Sequence, residues 1–307
     1  MPELTPSRLI VTGGRGRLAS LIAEHFRSPA NEVALFSRQG GDGFLPLAGL
    51  TEPGALGEAG ALLHLAWSTL PATSEQEPGA EEKHDLPLLK NLLEAIAASP
   101  KTKRLHFVFF SSGGAVYGNA PGRANIEADA CLPIGSYGRA KRAAEELIAT
   151  YAGYHGLACT ILRISNPYGY PVPKNRAQGL IPHALRCAIE DQPLTLWGDG
   201  SARKDFLHYT DFLSALELVL ARRLKGTYNL SAGESHSVSE VIGLVEKHTG
   251  RRVPLQPRPA LDWDVHDSRL DNARLVAATG WRPLVSLDEG IRRAAAGYPG
   301  HGKSADA

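Results

Sequence analysis

The chain has little cysteine, little net charge and no long hydrophobic run. Its three cysteines, Cys131, Cys159 and Cys187, are too widely spaced for a metal site, so we expect reduced, packed thiols and no metal. The formal net charge of +1 attracts neither nucleic acid nor an anionic membrane. No apolar run approaches the roughly 20 residues that cross a bilayer, and the first residues read as a polar lead into a strand, not a signal peptide. We expect a cytoplasmic protein without nucleic-acid or membrane partners.

Short apolar runs alternate with helical patterns in the first half of the chain. The runs that predict strands are 8–12, 32–36, 61–66, 106–110 and 159–163. Helical patterns cover about 17–27, 83–98 and 138–154. Short strands that are apolar on both faces and separated by helices are typical of a parallel sheet with both faces covered. We therefore predict an α/β fold built on a doubly wound Rossmann parallel sheet.

The second half is more mixed and predicts a smaller C-terminal substrate-binding lobe. Strands are predicted at 193–197 and 205–209, and a helix at 210–223. Two further helices should begin at Ser237 and near Ser286, because each serine is followed three residues later by glutamate, as in a capping box. Glycine and proline are dense in 167–182 and 251–260, which predicts loops. The expected division is a dinucleotide-binding domain over 1–165 and the lobe over 166–300, with about 205–230 able to return to the first domain.

The turn after the first strand has the composition of a phosphate-binding loop. In "VTGGRGRLAS", Gly13, Gly16 and Ala19 follow the spacing G-x-x-G-x-x-A. A turn without bulky side chains lets backbone N–H groups and the helix N-terminus approach a pyrophosphate. The alternative is a glycine-rich turn without a ligand. Arg15 and Arg17 are unusual in such a loop, where small or apolar residues fit more easily. The position after strand one favours dinucleotide binding.

The end of the second strand bears on the choice between NAD and NADP. A carboxylate there would bind the adenosine ribose hydroxyls and repel a 2′-phosphate. This chain has Ser37 and Arg38 instead, and a guanidinium can pair with that phosphate. The sequence therefore favours NADP slightly over NAD, unless Arg38 is a solvated loop residue.

Tyr137 and Lys141 are four residues apart at the start of a predicted helix, so their side chains share one face. An adjacent ammonium and an oxidised nicotinamide both favour the phenolate and lower the pKa of a tyrosine. The pair therefore predicts a tyrosine base. Upstream, "SSGGAVYG" places Ser111 and Ser112 at the end of a predicted strand.

Several motifs together resemble one family. The segments "TGGRGRLAS", "SSGGAVYG", "YGRAK", "LRISNPYG" and "LWGDGSARKDF" occur in the order found in the extended short-chain dehydrogenase/reductase family. They are most similar to nucleotide-sugar epimerases of the UDP-glucose 4-epimerase type, part of the NAD-dependent epimerase/dehydratase group. The segments "HLAWSTLPATS" and "ATGWRPLVSLDEGIRR" resemble further parts of the family, so the likeness covers about 8–293.

The resemblance implies a set of contacts for each ligand. Tyr137 would take a proton from a sugar hydroxyl, and Lys141 would hold the nicotinamide ribose. The implied cofactor-binding residues are Gly13, Arg15, Gly16, Arg17, Leu18, Ser37, Arg38, Leu65, Ala66 and Lys141. The implied contacts to a nucleoside-diphosphate sugar are Asn166, Leu180, Trp197, Arg203 and Lys204, although Asn166 could close an Asx turn and Trp197 is favoured as a core residue. His64 is expected to pack at a strand end, and Thr69 and Thr73 could line the sugar pocket.

The chain also departs from the family pattern. The usual catalytic serine or threonine falls at Gly113, so Ser112 is a candidate for the catalytic hydroxyl and Ser136 a weaker one. Asp85 stands where the family often has asparagine, and Lys204 replaces an arginine. A second family arginine has only Arg258 and Arg269 as loose counterparts.

Three functions remain open at this point. The first is an NAD(P)-dependent nucleotide-sugar epimerase, most plausibly a UDP-hexose 4-epimerase. The second is an NADPH-dependent nucleotide-sugar 4-ketoreductase, which Ser37 and Arg38 favour. The third is a non-catalytic dinucleotide-binding protein, which Gly113, Arg15 and Arg17 favour and Tyr137 and Lys141 oppose. The helices at 83–98 and 138–154 resemble those that form the family's dimer interface, so a homodimer is expected.

Overall fold

The computed structural model describes residues 7–52, 54–120, 122–170 and 179–298. The strands are β1 (Arg8–Thr12), β2 (Glu32–Ser37), β3 (Leu45–Pro46), β4 (Ala61–His64), β5 (His106–Ser112), β6 (Ala158–Ile164), β7 (Asn166–Tyr168), β8 (Leu194–Trp197), β9 (Arg203–His208), β10 (Gly226–Leu230), β11 (Ser235–Ser237), β12 (Leu255–Arg258) and β13 (Asp267–Ser268). The helices are α1 (Arg17–Phe26), α2 (Pro71–Gln76), α3 (Ala80–Ala98), α4 (Gly113–Val116), α5 (Ser136–His155), α6 (Leu180–Glu190), α7 (Tyr209–Ala221), α8 (Val238–Thr249), α9 (Ala273–Thr279) and α10 (Leu287–Ala296). Two 3-10 helices, Leu47–Thr51 and Pro100–Arg104, complete the described elements.

Seven parallel strands form the central sheet, in the order β10-β6-β5-β4-β1-β2-β3. Side chains that alternate along a strand enter two different cores: Leu9 and Val11 pack against α1 and α7, whereas Ile10 packs against α3 and α5. Burial on both faces explains why these strands are apolar throughout. The prediction of a doubly wound Rossmann sheet is confirmed.

The remaining strands belong to smaller sheets. Strand β9 pairs with β11, β13 and β7, and β8 pairs with β12. Helices α6, α8 and α10 pack around a separate core that includes Ile181, Val241 and Ile291. Meanwhile β10 joins the central sheet as an edge strand beside β6. The chain thus leaves the central sheet after β6 and returns to it at β10.

Local signals predicted the starts of two helices correctly. Ser237 caps α8 in a complete capping box with Glu240, and the Ser286 hydroxyl accepts from the Glu289 N–H at the start of α10. Two predicted loops were partly wrong. Strand β12 lies within 251–260. The last two residues of β7 and the start of α6 lie within 167–182, of which 171–178 are outside the described residues. No helix within the described ranges is long and apolar enough to span a membrane.

Candidate active site

The glycine turn joins β1 to α1 and leaves no room for side chains. Gly13 has φ +71°, and an added Cβ would lie 2.9 Å from the Ala66 nitrogen. The Gly16 N–H donates to the Gly13 carbonyl at 2.8 Å, and no side chain caps α1 at Gly16. The first N–H groups of α1, including that of Leu18, therefore remain available to an anion. This cradle fits the pyrophosphate of a dinucleotide, and it brings the Leu65–Ala66 backbone beside the turn.

The two arginines of the turn point in different directions. Arg15 is exposed, pairs with Asp42 at 3.4 Å and lies 4.6 Å over the Phe44 ring. Burial raises the pKa of the Tyr170 phenol, and the nearby charge of Arg17 works against that shift. Arg17 thus lies close to the segment that follows β7.

At the end of β2, Ser37 and Arg38 differ in their surroundings. Ser37 is buried, and its hydroxyl donates to the Gln39 carbonyl. Arg38 is exposed beyond it. Of these two side chains, Arg38 is therefore the one accessible to a 2′-phosphate on the adenosine ribose.

Tyr137 and Lys141 lie in the first turns of α5. The helix begins against neighbouring segments: Glu75 Oε1 accepts from the Ser136 N–H at 2.5 Å, and an added Cβ on Gly138 would lie 2.6 Å from the Ala115 carbonyl oxygen. Lys141 is 4% exposed, and its Nζ donates to the Phe110 carbonyl at 3.0 Å. This ammonium is 5.7 Å from the centre of the Tyr137 ring.

Burial dominates the electrostatics of this pair. It raises the pKa of Tyr137, and the carboxylates of Glu81 and Asp85 raise it further. It lowers the pKa of Lys141 to about 7, against the opposing effect of Asp85, Glu145 and Glu81. In the protein alone, desolvation and two carboxylates raise the tyrosine pKa; the lowering predicted with Lys141 and a bound oxidised nicotinamide stays a prediction.

The strand end at "SSGGAVYG" puts positions 112 and 113 in different surroundings. An added Cβ on Gly113 would overlap Leu270 Cδ1 and lie 3.1 Å from the Arg163 carbonyl oxygen, so position 113 faces the interior. Ser112 instead lines the main cavity. Ser136 is less suited to the role, since its hydroxyl accepts from Arg139 at 2.8 Å.

The main cavity has a volume of about 300 Å³ and lies between the carboxyl end of β5 and a set of later elements, namely β7, the start of α6, and β8. Its lining includes four predicted substrate residues: Asn166, Leu180, Trp197 and Lys204. A smaller cavity of about 40 Å³ reaches Tyr137 and shares Pro71, Gly114, Ala115 and Asp264 with it. Tyr137 therefore borders the same region as Ser112.

The predicted substrate residues are not equivalent. Trp197 is 48% exposed, so the prediction of a core role was wrong. Asn166 donates to the Asp205 carbonyl at 2.8 Å rather than closing a local turn. Lys204 Nζ pairs with Asp264 at 2.8 Å. Arg203 turns toward β11, where it donates to Ser235 and lies 3.7 Å from Glu240.

Other candidates have structural partners. His64 is 1% exposed, shares a hydrogen bond of 3.0 Å with the Thr12 hydroxyl, and has its pKa lowered to about 3 by burial, so it packs as expected. The Thr69 hydroxyl donates to Glu81 at 2.5 Å. The Thr73 hydroxyl accepts from the Leu70 N–H at 2.8 Å, and Arg269 pairs with Asp267 at 2.8 Å. Arg258 is exposed on β12.

Sequence reasoning missed three side chains near this site. The Trp67 ring centre is 3.8 Å from the Lys141 ammonium, the charge of Glu81 raises the pKa of Tyr137, and Asp264 pairs with Lys204. The tryptophan directly after "HLA" could have been singled out from the sequence, because a small residue fits more easily beside a bound cofactor. No local sequence pattern marks Glu81 or Asp264, because their contacts depend on packing between distant segments.

Comparison with known proteins gives consistent results. The family model "Epimerase: NAD dependent epimerase/dehydratase family" matches residues 9–231. UDP-glucose 4-epimerase of Thermus thermophilus, solved with NAD, is 28% identical, with a TM-score of 0.84 over 94% of this chain and 98% of that one. The enzyme of the same name from Thermotoga maritima, solved with UDP-glucose, is 25% identical, with a TM-score of 0.84 over 94% and 97%. The resemblance inferred from the motifs is confirmed.

A curated relative has a different activity. The dTDP-4-dehydro-6-deoxyglucose reductase of Escherichia coli is 31% identical over 185 residues, which are 60% of this chain and 58% of that protein. The matches span about three fifths of the length of the first curated relatives.

Proposed function

The chain belongs to the NAD-dependent epimerase/dehydratase family, and from that premise we propose that it is a nucleotide-sugar 4-epimerase acting on a UDP-hexose. The observation that carries the proposal is the pair of adjoining cavities at the carboxyl end of β5. Ser112 borders one and Tyr137 the other, and the glycine turn lies at the same edge of the sheet. A sugar ring in this region would meet both hydroxyls.

The roles of the side chains follow from their positions. Tyr137 takes the proton of the sugar C4 hydroxyl and later returns it, and Ser112 donates a hydrogen bond to the sugar oxygen. Lys141 binds the nicotinamide ribose, and its positive charge opposes the burial and the carboxylates that raise the pKa of Tyr137. A nicotinamide held by the glycine turn and Lys141 would supply reversible hydride transfer at the sugar C4 position. Sugar, dinucleotide and tyrosine all end as they began, so no external reductant is consumed.

The substrate end supports a nucleoside-diphosphate sugar. The N-terminus of α6 opens into the main cavity at Gly179 and Leu180, without a side-chain cap. Lys204 lines the same cavity, and the half-exposed Trp197 ring offers a stacking surface for a base. A helix N-terminus and an ammonium both favour a diphosphate.

A second candidate, an NADPH-dependent nucleotide-sugar 4-ketoreductase, rests on the end of β2. Exposed Arg38 suits a 2′-phosphate, and NADPH is the usual donor in reductive biosynthesis. Tyr137, which burial and two carboxylates keep protonated, would then donate its proton to a carbonyl oxygen. The similarity to the Escherichia coli reductase agrees with this candidate.

One experiment separates the two candidates. The purified protein is incubated with UDP-glucose, UDP-galactose and their N-acetyl and uronate counterparts, and the products are followed by proton NMR at C4. An epimerase interconverts a pair without added reductant. A ketoreductase leaves them unchanged but oxidises NADPH when given a 4-keto nucleotide sugar. Failure of both reactions in folded protein would refute both candidates and leave a non-catalytic dinucleotide-binding protein.

We further propose a homodimer that pairs α3 and α5 of each copy. The two helices pack beside each other on one face of the sheet, and Tyr154 on α5 is 84% exposed. Light scattering tests this assembly, and a monomer at micromolar concentration would refute it.

A further inference from the structure

Two buried carboxylates lie on the face of α3 that is turned toward Tyr137 and Lys141. Glu81 is 1% exposed and Asp85 is 5% exposed. They are four residues apart, so they share one face of the helix. We call them the acid pair. Carboxylates are rarely buried this deeply without a reason in their contacts.

The acid pair holds two consecutive residues of the segment after β4. Asp85 accepts from the Ser68 N–H at 3.0 and 3.1 Å and from the Ser68 hydroxyl at 2.5 Å. Glu81 accepts from the Thr69 hydroxyl at 2.5 Å. These hydrogen bonds anchor the segment to α3. Burial raises the pKa of the Asp85 carboxyl, and the hydrogen bonds from Ser68 work against that shift.

The residue just before this anchored segment is Trp67. Its ring centre is 3.8 Å from Lys141 Nζ and 6.0 Å from the centre of the Phe109 ring. Its indole nitrogen is buried and has no hydrogen-bond partner within the described part of the chain. Packing and the neighbouring anchor, rather than a bond of its own, therefore hold the indole under the ammonium.

We propose that the acid pair is a positioning device for Lys141: through Ser68 and Thr69 it holds Trp67 beneath the ammonium, and its charge keeps that ammonium protonated for binding the dinucleotide. The inference rests on the proposed function only in taking Lys141 as a cofactor contact. The indole face stabilises a cation but not a neutral amine. The Trp67 ring and the carboxylate charges therefore both favour the protonated form of Lys141.

Three carboxylates raise the pKa of Lys141 against burial: Asp85 has the largest effect, followed by Glu145 and then Glu81. On α5 itself, Glu145 pairs with Arg163 at 2.6 Å, and Tyr137 is neutral. From β4, His64 is neutral because burial lowers its pKa to about 3. The acid pair has the neutral partners Ser68 and Thr69, so its negative charge is not cancelled by an ion pair with them.

The direction of the pH effect follows from these charges. Burial lowers the pKa of Lys141 to about 7, and the acid pair opposes that shift. The ammonium is present below this pKa and is lost as the pH rises through it, so dinucleotide affinity should fall in that range. Removing one carboxylate charge lowers the pKa further, and the fall should then begin at lower pH.

The test is a fluorescence titration with NADH and with NADPH across roughly pH 6 to 9, after exchange of any copurified dinucleotide. We expect Asp85→Asn, which keeps an acceptor for Ser68, to shift the midpoint of the affinity loss down by about one pH unit. Glu81→Gln should shift it in the same direction. Glu82→Gln is the matched control, because it removes the same charge from the exposed side of the same helix.

The outcomes separate the inference from the proposed function. A downward shift in Asp85→Asn and Glu81→Gln, with a wild-type profile in Glu82→Gln, supports the inference. Wild-type profiles in both acid-pair variants, with circular dichroism showing native folding, overturn it while leaving the proposed function intact. Wild-type protein that binds neither dinucleotide overturns both.

Discussion

Serine at position 113 provides a test of where the catalytic hydroxyl lies. The added Cβ and Oγ enter a space already filled by Leu270, and the Arg163 carbonyl oxygen is 3.1 Å from the Cβ position. Overpacking of this kind costs about 1–3 kcal/mol. With an unfolding entropy of about 2.1 cal/mol/K per residue, the Tm of a chain of this length should fall by roughly 2–5 °C.

Activity is the second readout of the same experiment. Ser112→Ala removes the hydroxyl that lines the cavity and should lower turnover by about 10²-fold. Adding Gly113→Ser to that variant should not restore turnover, because the new hydroxyl faces Leu270.

Melting curves by circular dichroism and turnover by NMR give both results. Gly114→Ala is the stability control, since its added Cβ meets Ser268 Oγ at an ordinary 3.4 Å. Rescue of Ser112→Ala by Gly113→Ser, or an unchanged Tm in Gly113→Ser alone, would refute the assignment.

Three further predictions concern individual contacts. Tyr137→Phe should abolish turnover while calorimetry still detects nucleotide-sugar binding; substantial remaining turnover would remove the tyrosine from the mechanism. Arg38→Ala should weaken NADP(H) at least about ten-fold more than NAD(H) in titrations, because it loses a phosphate ion pair; equal losses would place the 2′-phosphate elsewhere. Asp264→Asn should strengthen UDP binding about two- to five-fold, because it frees Lys204 from an exposed ion pair of that strength. Asp262→Asn, at an exposed position, is the control. Unchanged UDP affinity in Asp264→Asn would show that Lys204 does not contact the diphosphate.

Local signals account for what the sequence predicted well. The capping box at Ser237 and the glycines of the first turn act within a few residues, so their outcome does not depend on the rest of the fold. The alternation of short strands and helices likewise predicted the sheet, because burial on both faces leaves a visible composition. The resemblance then placed Asn166, Leu180 and Lys204 at one cavity.

The remaining features depend on contacts between distant segments. The sequence does not show which of positions 112 and 113 faces the cavity. Leu270, more than 150 residues later in the chain, fills the space beside position 113. The expected pKa of Tyr137 considered Lys141 but not the burial and the two carboxylates that oppose it. Trp197 was expected in the core because large aromatic side chains usually pack there, yet this one lines the main cavity.

The measurement that tests the account most directly is the identification and quantity of dinucleotide released when the purified protein is denatured. The glycine turn, the uncapped start of α1 and Lys141 together predict about one dinucleotide per chain, retained or taken up on titration. NAD near one equivalent agrees with an epimerase that regenerates its cofactor in place, and NADP(H) would move the assignment to the ketoreductase. A chain that releases no dinucleotide and binds neither NAD(H) nor NADP(H) would contradict the account.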